Sequence, residues 1–306
     1  MHRMLIISGP TATGKTQLAF KLAKKFNGEL ISADSRQVYK GMDIGTGKEL
    51  GDVPIWGYDV VEPNQEWSAA HFVKLADKLI PEIQSRGKLP VVVGGTGLYI
   101  SNLLNPPETL NIPPDKKLRG ELKKLSVAEL QDRLKKINKK RFEEMNESDR
   151  QNPRRLVRAI ETSSVIPAKA GIYLNRFPIK SGMTNVLYLS LVTSINVIDR
   201  RIEDRVKQRV AQGVEEEVRG LVKKYGWDSA LKFTIGYKEW RPRNDLSGQF
   251  PIEEIIKNWT THEKQYARRQ LTWMAKYSPD KLFNINKPDY IPDIEAYVTR
   301  WYYGKE

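Results

Sequence analysis

Eight residues near the amino terminus, Gly9-Pro10-Thr11-Ala12-Thr13-Gly14-Lys15-Thr16, have the spacing G-x-x-x-x-G-K-[ST], whose chemistry is phosphate binding. The glycines let backbone N–H groups curl around an anion, and a following helix adds the partial positive charge of its N-terminus. At this spacing Lys15 reaches bridging and terminal phosphate oxygens, and the Thr16 hydroxyl faces a Mg²⁺ ion. The motif carries this meaning only between a strand and a helix. Both are expected: residues 4–7 form an uninterrupted apolar run, read as a buried parallel strand, and Leu18, Ala19, Leu22, Ala23 and Phe26 recur at helical spacing. An ordinary glycine-containing loop that binds nothing is the alternative, and the agreement of motif and context argues against it. A di- or triphosphate ligand is expected.

Asp34 is the next residue able to do chemistry. It follows a short apolar run at 30–33, and ligands of open parallel sheets sit beyond the carboxyl ends of the strands, so Asp34 is expected beside the phosphate loop. A carboxylate there holds Mg²⁺ through water or accepts a proton from a nucleophile. The cap of a following turn is an equal reading for Asp34 or Ser35. A glycine-rich loop follows at 41–48. The apolar spacing then predicts a helix over 68–86 and a buried strand over 89–93, which runs into Gly94-Gly95-Thr96-Gly97. Those glycines permit close backbone approach to a ligand, and Thr96 offers a hydroxyl. The strand has no terminal aspartate, so the second signature of nucleotide-hydrolysing P-loop proteins is missing.

Composition narrows the partners. The chain has 306 residues, 40% of them apolar, enough for a core domain and a smaller module. A net charge of +14 points to a polyanion, nucleic acid before a membrane surface, with a merely solubilising basic surface as the alternative. The absence of cysteine excludes disulfides, thiolate metal sites and a cysteine nucleophile, and three scattered histidines make a zinc site unexpected. With no signal peptide or long apolar run evident, a cytoplasmic protein without a membrane partner is expected.

The phosphate loop, the segment Ser32-Ala33-Asp34-Ser35-Arg36-Gln37-Val38-Tyr39 and the GGTGLYI stretch, in this order and spacing, resemble the bacterial tRNA dimethylallyltransferases, or tRNA isopentenyltransferases. Later segments extend the likeness over most of the chain: Asn152-Pro153-Arg154-Arg155-Leu156-Val157-Arg158, Ile235-Gly236-Tyr237-Lys238-Glu239 and Tyr266-Ala267-Arg268-Arg269-Gln270. The resemblance implies an α/β fold with a P-loop parallel-sheet core and a helical insertion that grips the tRNA anticodon stem-loop. It implies transfer of a dimethylallyl group from dimethylallyl diphosphate to the N6 amine of the adenosine 3′ of the anticodon, with Mg²⁺ as cofactor. By the same resemblance Asp34 is the general base, Thr96 stands beside the reacting centre, Lys15 and Arg205 face the diphosphate, and Thr16 faces the metal. The tRNA contacts it implies are Asp34, Ser35, Arg36, Gln37, Thr96, Arg154, Arg155, Arg158, Gly236, Tyr237, Lys238, Arg268, Arg269 and Gln270.

The chain departs from the family pattern in places. Ile55-Trp56 replaces a histidine pair, Gly47 a common alanine, Lys207 an acidic residue and Arg209 a methionine. These departures bear on substrate positioning rather than on the reaction.

Residues 1–112 and 183–306 are expected to form the core, and 113–182 the insertion. Double prolines at 106–107 and 113–114 mark the exit, and Leu118, Leu122, Leu125, Leu130, Leu134 and Ile137 form the apolar side of a lysine-rich helical stretch. For any single lysine a solvated face is as good a reading as a phosphate contact. A loop over 168–183 leads to a returning strand at 186–191. Helices are predicted over 197–224 and 254–277; the second interleaves bases with Tyr266 and Trp273, a pattern suited to stacking on unpaired bases, although Trp273 itself is assigned to the core. The last residues carry no cysteine- and histidine-bearing finger, so a bacterial-type enzyme is expected, working as a monomer. Two other functions compete: a prenyltransferase acting on free adenine nucleotides, and a non-catalytic RNA-binding P-loop protein.

Overall fold

The computed structural model describes residues 3–165, 185–241, 251–275, 277 and 279–304. The loop expected over 168–183, with the boundary at 182/183, lies outside the described residues. The chain separates into two compact units, Met1–Asn105 with Pro178–Glu306, and Pro106–Phe177.

The strands of the first unit are β1 (Arg3–Ser8), β2 (Gly28–Ser32), β3 (Ile55–Trp56), β4 (Leu89–Gly94), β5 (Asn185–Val192) and β6 (Lys281–Asn284). Apolar runs make the central strands, β1 and β4, and most of β5. The six form one sheet in the order β3-β2-β4-β1-β5-β6, with every pairing parallel. Helix α1 (Lys15–Lys25) joins β1 to β2, α2 (Ala69–Ser85) joins β3 to β4, and α3 (Gly97–Leu104) follows β4. A strand covered on both faces needs no polar alternation, and residues 4–7 of β1 are fully buried. Leu5 and Ile7 face Leu18 and Leu22 of α1 and Ile294 and Val298 of the last helix. The expected α/β P-loop architecture is the one observed.

The departure at 55–56 has a structural role. Ile55 packs on the core, and Trp56 Nε1 donates to Glu29 Oε2 at 2.7 Å, inside a cluster in which Arg86 and Lys88 bond the same carboxylate at 2.6 and 2.8 Å. Burial pushes the Glu29 carboxyl up, but these three donors outweigh it and hold it at about 2.

The second unit holds α4 (Lys116–Leu122), α5 (Val127–Glu144), α6 (Glu147–Arg150) and α7 (Pro153–Val165). Leu122, Leu130, Leu134, Met145, Leu156 and Ile160 form its core. Ile137 does not join them: Asn138, at φ −153° and ψ 81°, kinks α5 and leaves Ile137 39% exposed. Ser126 and Glu129 start α5 with a reciprocal capping box.

Returning to the first unit, α8 (Ile195–Ala211), α9 (Val214–Tyr225), α10 (Ile252–Met274) and α11 (Tyr290–Tyr303) complete the fold. The single helix expected over 197–224 is two helices, because Gly213 adopts φ +93° and turns the chain. Apolar periodicity continues across the break, and so the spacing hides it. Helices α8, α9 and α10 bury a second core of Ile198, Ile202, Val206, Val218, Trp259 and Tyr237. Among the described residues no helix is long and apolar enough to cross a membrane.

Candidate active site

The phosphate loop leaves β1 at Ser8 and enters α1 at Lys15. Gly9, at φ +156°, has no room for a side chain, since a Cβ would lie 2.9 Å from Thr13 Oγ1 and 3.0 Å from the Leu191 carbonyl. Ala12 and Gly14 take φ of +64° and +78°, the left-handed conformations with which a loop curls its backbone amides around an anion. Thr13 Oγ1 donates to the Pro10 carbonyl at 2.8 Å, and Lys15 Nζ to the same oxygen at 3.1 Å. No side chain caps the N-terminus of α1, so its first N–H groups are free for an anion. Burial, then the charge of Arg205, brings the Lys15 ammonium down to about 8.

Three arginines at successive turns of α8 approach this loop. Arg201 donates to the Ala12 carbonyl at 3.3 Å, and Arg205 to Thr11 Oγ1. Arg205 also pairs with Glu263 of α10 at 2.7 Å, and Arg209 pairs with the other oxygen of Glu263 at 3.0 Å. Burial pushes the Glu263 carboxyl up, and the two guanidinia outweigh it and hold it below its ordinary value. Arg205 Nε is buried with no hydrogen-bond partner. Such a donor, placed beside a phosphate loop, suits an anion.

Beyond β2, Asp34 Oδ1 accepts from the Arg36 N–H at 2.8 Å. This is the turn contact anticipated as one reading of Asp34, and it also fixes the direction of the carboxylate. Gln37 Nε2 donates to the Gly47 carbonyl at 3.1 Å. Thr96, just before α3, accepts from the Ser35 N–H at 3.1 Å and is hydrogen-bonded to Tyr266, whose hydroxyl burial pushes up to about 12. Lys15, Thr16, Asp34, Glu49, Arg205 and Arg209 line one cavity. Among its lining oxygens are the Thr16 hydroxyl and the Asp34 and Glu49 carboxylates. Among the described residues no group of three or more acidic or histidine side chains could hold a metal. That set fits Mg²⁺, which keeps one or two protein carboxylates and completes its shell with water and phosphate oxygens.

The residues expected to touch RNA divide by exposure. Arg154, Arg268 and Arg269 are exposed, although Arg268 is paired with Asp199 at 2.9 Å and Arg269 lies over the Tyr266 ring at 5.8 Å. Arg155 is exposed and pairs with Asp149. Arg36 stands 5.3 Å from the centre of the Phe233 ring, which is itself 53% exposed.

Three of the expected RNA contacts are engaged inside the protein. Arg158 bonds Glu161 at 2.6 Å and the carbonyls of Thr109 and Ile112 at 2.7 and 2.9 Å, so its guanidinium is spent inside the second unit. Tyr237 has no exposed surface; its hydroxyl donates to Glu217 at 2.6 Å, and its ring fills the space a Cβ at Gly45 would need. Gln270 is buried and clamps two site loops, accepting from the Thr11 N–H at 2.8 Å and donating to the Gly95 carbonyl at 2.9 Å. Gly236, at φ +95°, packs against the Gly45 carbonyl, and Lys238 is partly exposed beside Glu239.

The sequence reading missed Glu263 and Glu217. Glu217 accepts from the N–H groups of Asp43, Ile44 and Gly45 at 3.0, 2.8 and 3.1 Å and so holds the glycine-rich loop. The only signal for Glu263 was its spacing to Tyr266, Gln270 and Trp273 on one face of α10.

Comparison with known proteins gives the same direction. Residues 37–277 match a family model described as IPP transferase, and residues 2–52 one described as isopentenyl transferase. The tRNA dimethylallyltransferase of Thermoanaerobacter sp. (strain X514) is 35% identical, over 99% of this chain and 98% of its own. That of Geobacillus thermodenitrificans is 34% identical, over 99% and 97%. Among solved structures, the tRNA isopentenylpyrophosphate transferase of Bacillus halodurans superposes with a TM-score of 0.70 at 33% identity, covering 98% of this chain and 97% of that one. A eukaryotic dimethylallyltransferase acting on tRNA, at 23% identity, shares the fold with a TM-score of 0.80 over 100% of this chain and 81% of its own.

Proposed function

Because this chain belongs to the IPP transferase family, we propose that it transfers a dimethylallyl group from dimethylallyl diphosphate to the N6 amine of the adenosine 3′ of the anticodon, in tRNAs reading codons that begin with U. The observation that carries the reading is the presence of a carboxylate, Asp34, and a phosphate cradle, Lys15 with Arg205, on the wall of one cavity. Transfer joins the amine nitrogen to the allylic carbon, breaks the bond from that carbon to the diphosphate oxygen, and releases an amine proton.

Each event has a partner in the site. The phosphate-loop amides, the Lys15 ammonium and the Arg205 guanidinium stabilise the charge that collects on the departing diphosphate. Mg²⁺, held at the Thr16 hydroxyl and the diphosphate oxygens, would neutralise part of the same charge. The adenine amine is a poor nucleophile because its lone pair is delocalised into the ring; Asp34 orients it and takes its proton. Thr96, held by Ser35 and Tyr266, lies next to that carboxylate in the fold and shapes the adenine side of the site. The charge of +14 supports RNA over a free nucleotide as acceptor; we propose the cytoplasm as its setting and one chain as the working unit.

Single-turnover transfer at saturating substrates tests the assignment. Asp34→Asn keeps size and hydrogen-bonding reach, and is expected to slow transfer by about a hundred- to ten-thousandfold while tRNA binding stays near wild type. A rate within about threefold of wild type would remove Asp34 from proton transfer.

A further inference from the structure

Arg209 is the third arginine of the α8 row, and its environment differs from that of the other two. It is 6% exposed, bonds Glu263 at 3.0 Å and the Gly45 carbonyl at 3.2 Å, and burial, then the charge of Arg205, brings it down to about 10. It therefore stays charged at neutral pH. Gly47 lies against it: a Cβ at that position, with φ +65°, would sit 1.8 Å from an Arg209 guanidinium nitrogen. Of the four departures from the family pattern, Gly47 and Arg209 are thus one structural unit, since the large side chain occupies the room that the missing one leaves.

The same guanidinium closes a chain of contacts to the phosphate loop. Arg209 holds one oxygen of Glu263, the other oxygen holds Arg205, and Arg205 bonds Thr11. Two guanidinia share one carboxylate, so the buried trio carries one net positive charge, and Arg205 and Arg209 both line the cavity with Lys15. Removing Arg209 would let Glu263 neutralise Arg205 fully and turn it from the cavity. We infer that Arg209, accommodated by Gly47, is a positioning residue for the diphosphate: it occupies the second oxygen of Glu263, so that Arg205 meets only one carboxylate oxygen and its remaining donors stay directed toward the anion. The inference rests on the proposed diphosphate site and deepens it.

The test is calorimetric binding of inorganic pyrophosphate, with Mg²⁺, to the full chain and to three variants, with tRNA binding measured alongside. Arg209→Met keeps side-chain length without charge and is expected to weaken pyrophosphate binding roughly ten- to a hundredfold, the value of a lost charge-assisted contact, while tRNA affinity stays within about twofold. Gly47→Ala is expected to weaken it in the same sense by displacing the guanidinium. In the double variant alanine meets no guanidinium, so its binding should equal that of Arg209→Met alone. The strain of alanine at positive φ falls in the melting temperatures and cancels from the binding cycle. Additive losses, equal losses of tRNA affinity, or an unchanged pyrophosphate affinity in Arg209→Met would each overturn the inference while leaving the diphosphate site intact. A wild-type protein that binds no pyrophosphate would overturn both.

Discussion

At the scale of single residues, the site works by placing charges where solvent is scarce. Lys15 shows the consequence. Its ammonium is brought down to about 8 by burial and by Arg205, so near neutral pH it is charged but close to its titration range. The cation is the form that binds a diphosphate. Affinity that depends on Lys15 is therefore complete below about pH 8 and falls as pH rises through that value. Pyrophosphate binding measured between about pH 6.5 and 9.5 should show this decline in the wild type. Lys15→Ala should bind weakly throughout and lack the part of the pH dependence that belongs to the ammonium, since pyrophosphate's own titration is common to both proteins. Identical pH profiles would place the ammonium away from the ligand.

Elements explain why those residues meet. The face of α10 that carries Glu263, Tyr266, Gln270 and Trp273 serves four parts of the site: the α8 arginines, Thr96, the link between Thr11 and Gly95, and Gly97, whose Cβ would fall 1.9 Å from the Trp273 ring. The phosphate loop and the carboxyl end of β2 were legible in the sequence because local spacing alone defines them. The role of α10 was not, because a buried Gln or Glu and a solvated one look the same until tertiary partners are known. The internal pairing of Arg158 was hidden for the same reason: Glu161, Thr109 and Ile112 converge on it only after the second unit folds.

The edge of the sheet yields a stability prediction. Glu29 sits at about 2 against an ordinary value of 4.5, because Arg86, Lys88 and Trp56 outweigh the cost of its burial. A depressed carboxyl stabilises the fold above its unfolded value and loses that contribution as pH falls from about 4.5 toward 2. Glu29→Gln should lower stability by about 2 kcal/mol at pH 7, less than the full shift implies because Arg86 is 42% exposed, and the deficit should shrink on acidification. Chemical denaturation at pH 7 and pH 3.5 measures it. An equal deficit at both values would assign the loss to packing rather than to charge.

For the whole molecule, the charge of +14 supports the proposed RNA acceptor. Ion pairing within the fold decides how much of that charge is free to act. Arg158 is internally paired, whereas Arg154 is exposed. If Arg154 neutralises a phosphate, Arg154→Ala should reduce the slope of log affinity for tRNA against log salt by roughly 0.7 to 0.9. Arg158→Ala should leave the slope alone and instead lower the melting temperature of the protein. The reverse pattern would mean that the ion pairs of the second unit rearrange on RNA. The overall architecture was readable from the family resemblance together with the apolar runs and the phosphate motif. The division of labour among its arginines was not, because exposure and pairing are properties of the folded chain.

The most direct test of the account is mass spectrometry of nucleosides from unmodified tRNA incubated with the protein, Mg²⁺ and dimethylallyl diphosphate, with adenosine monophosphate as a parallel acceptor. The account predicts N6-dimethylallyladenosine in the tRNA, mapped by nuclease digestion to the residue 3′ of the anticodon, and none formed from the free nucleotide. Prenylated adenosine monophosphate with unaltered tRNA would contradict it.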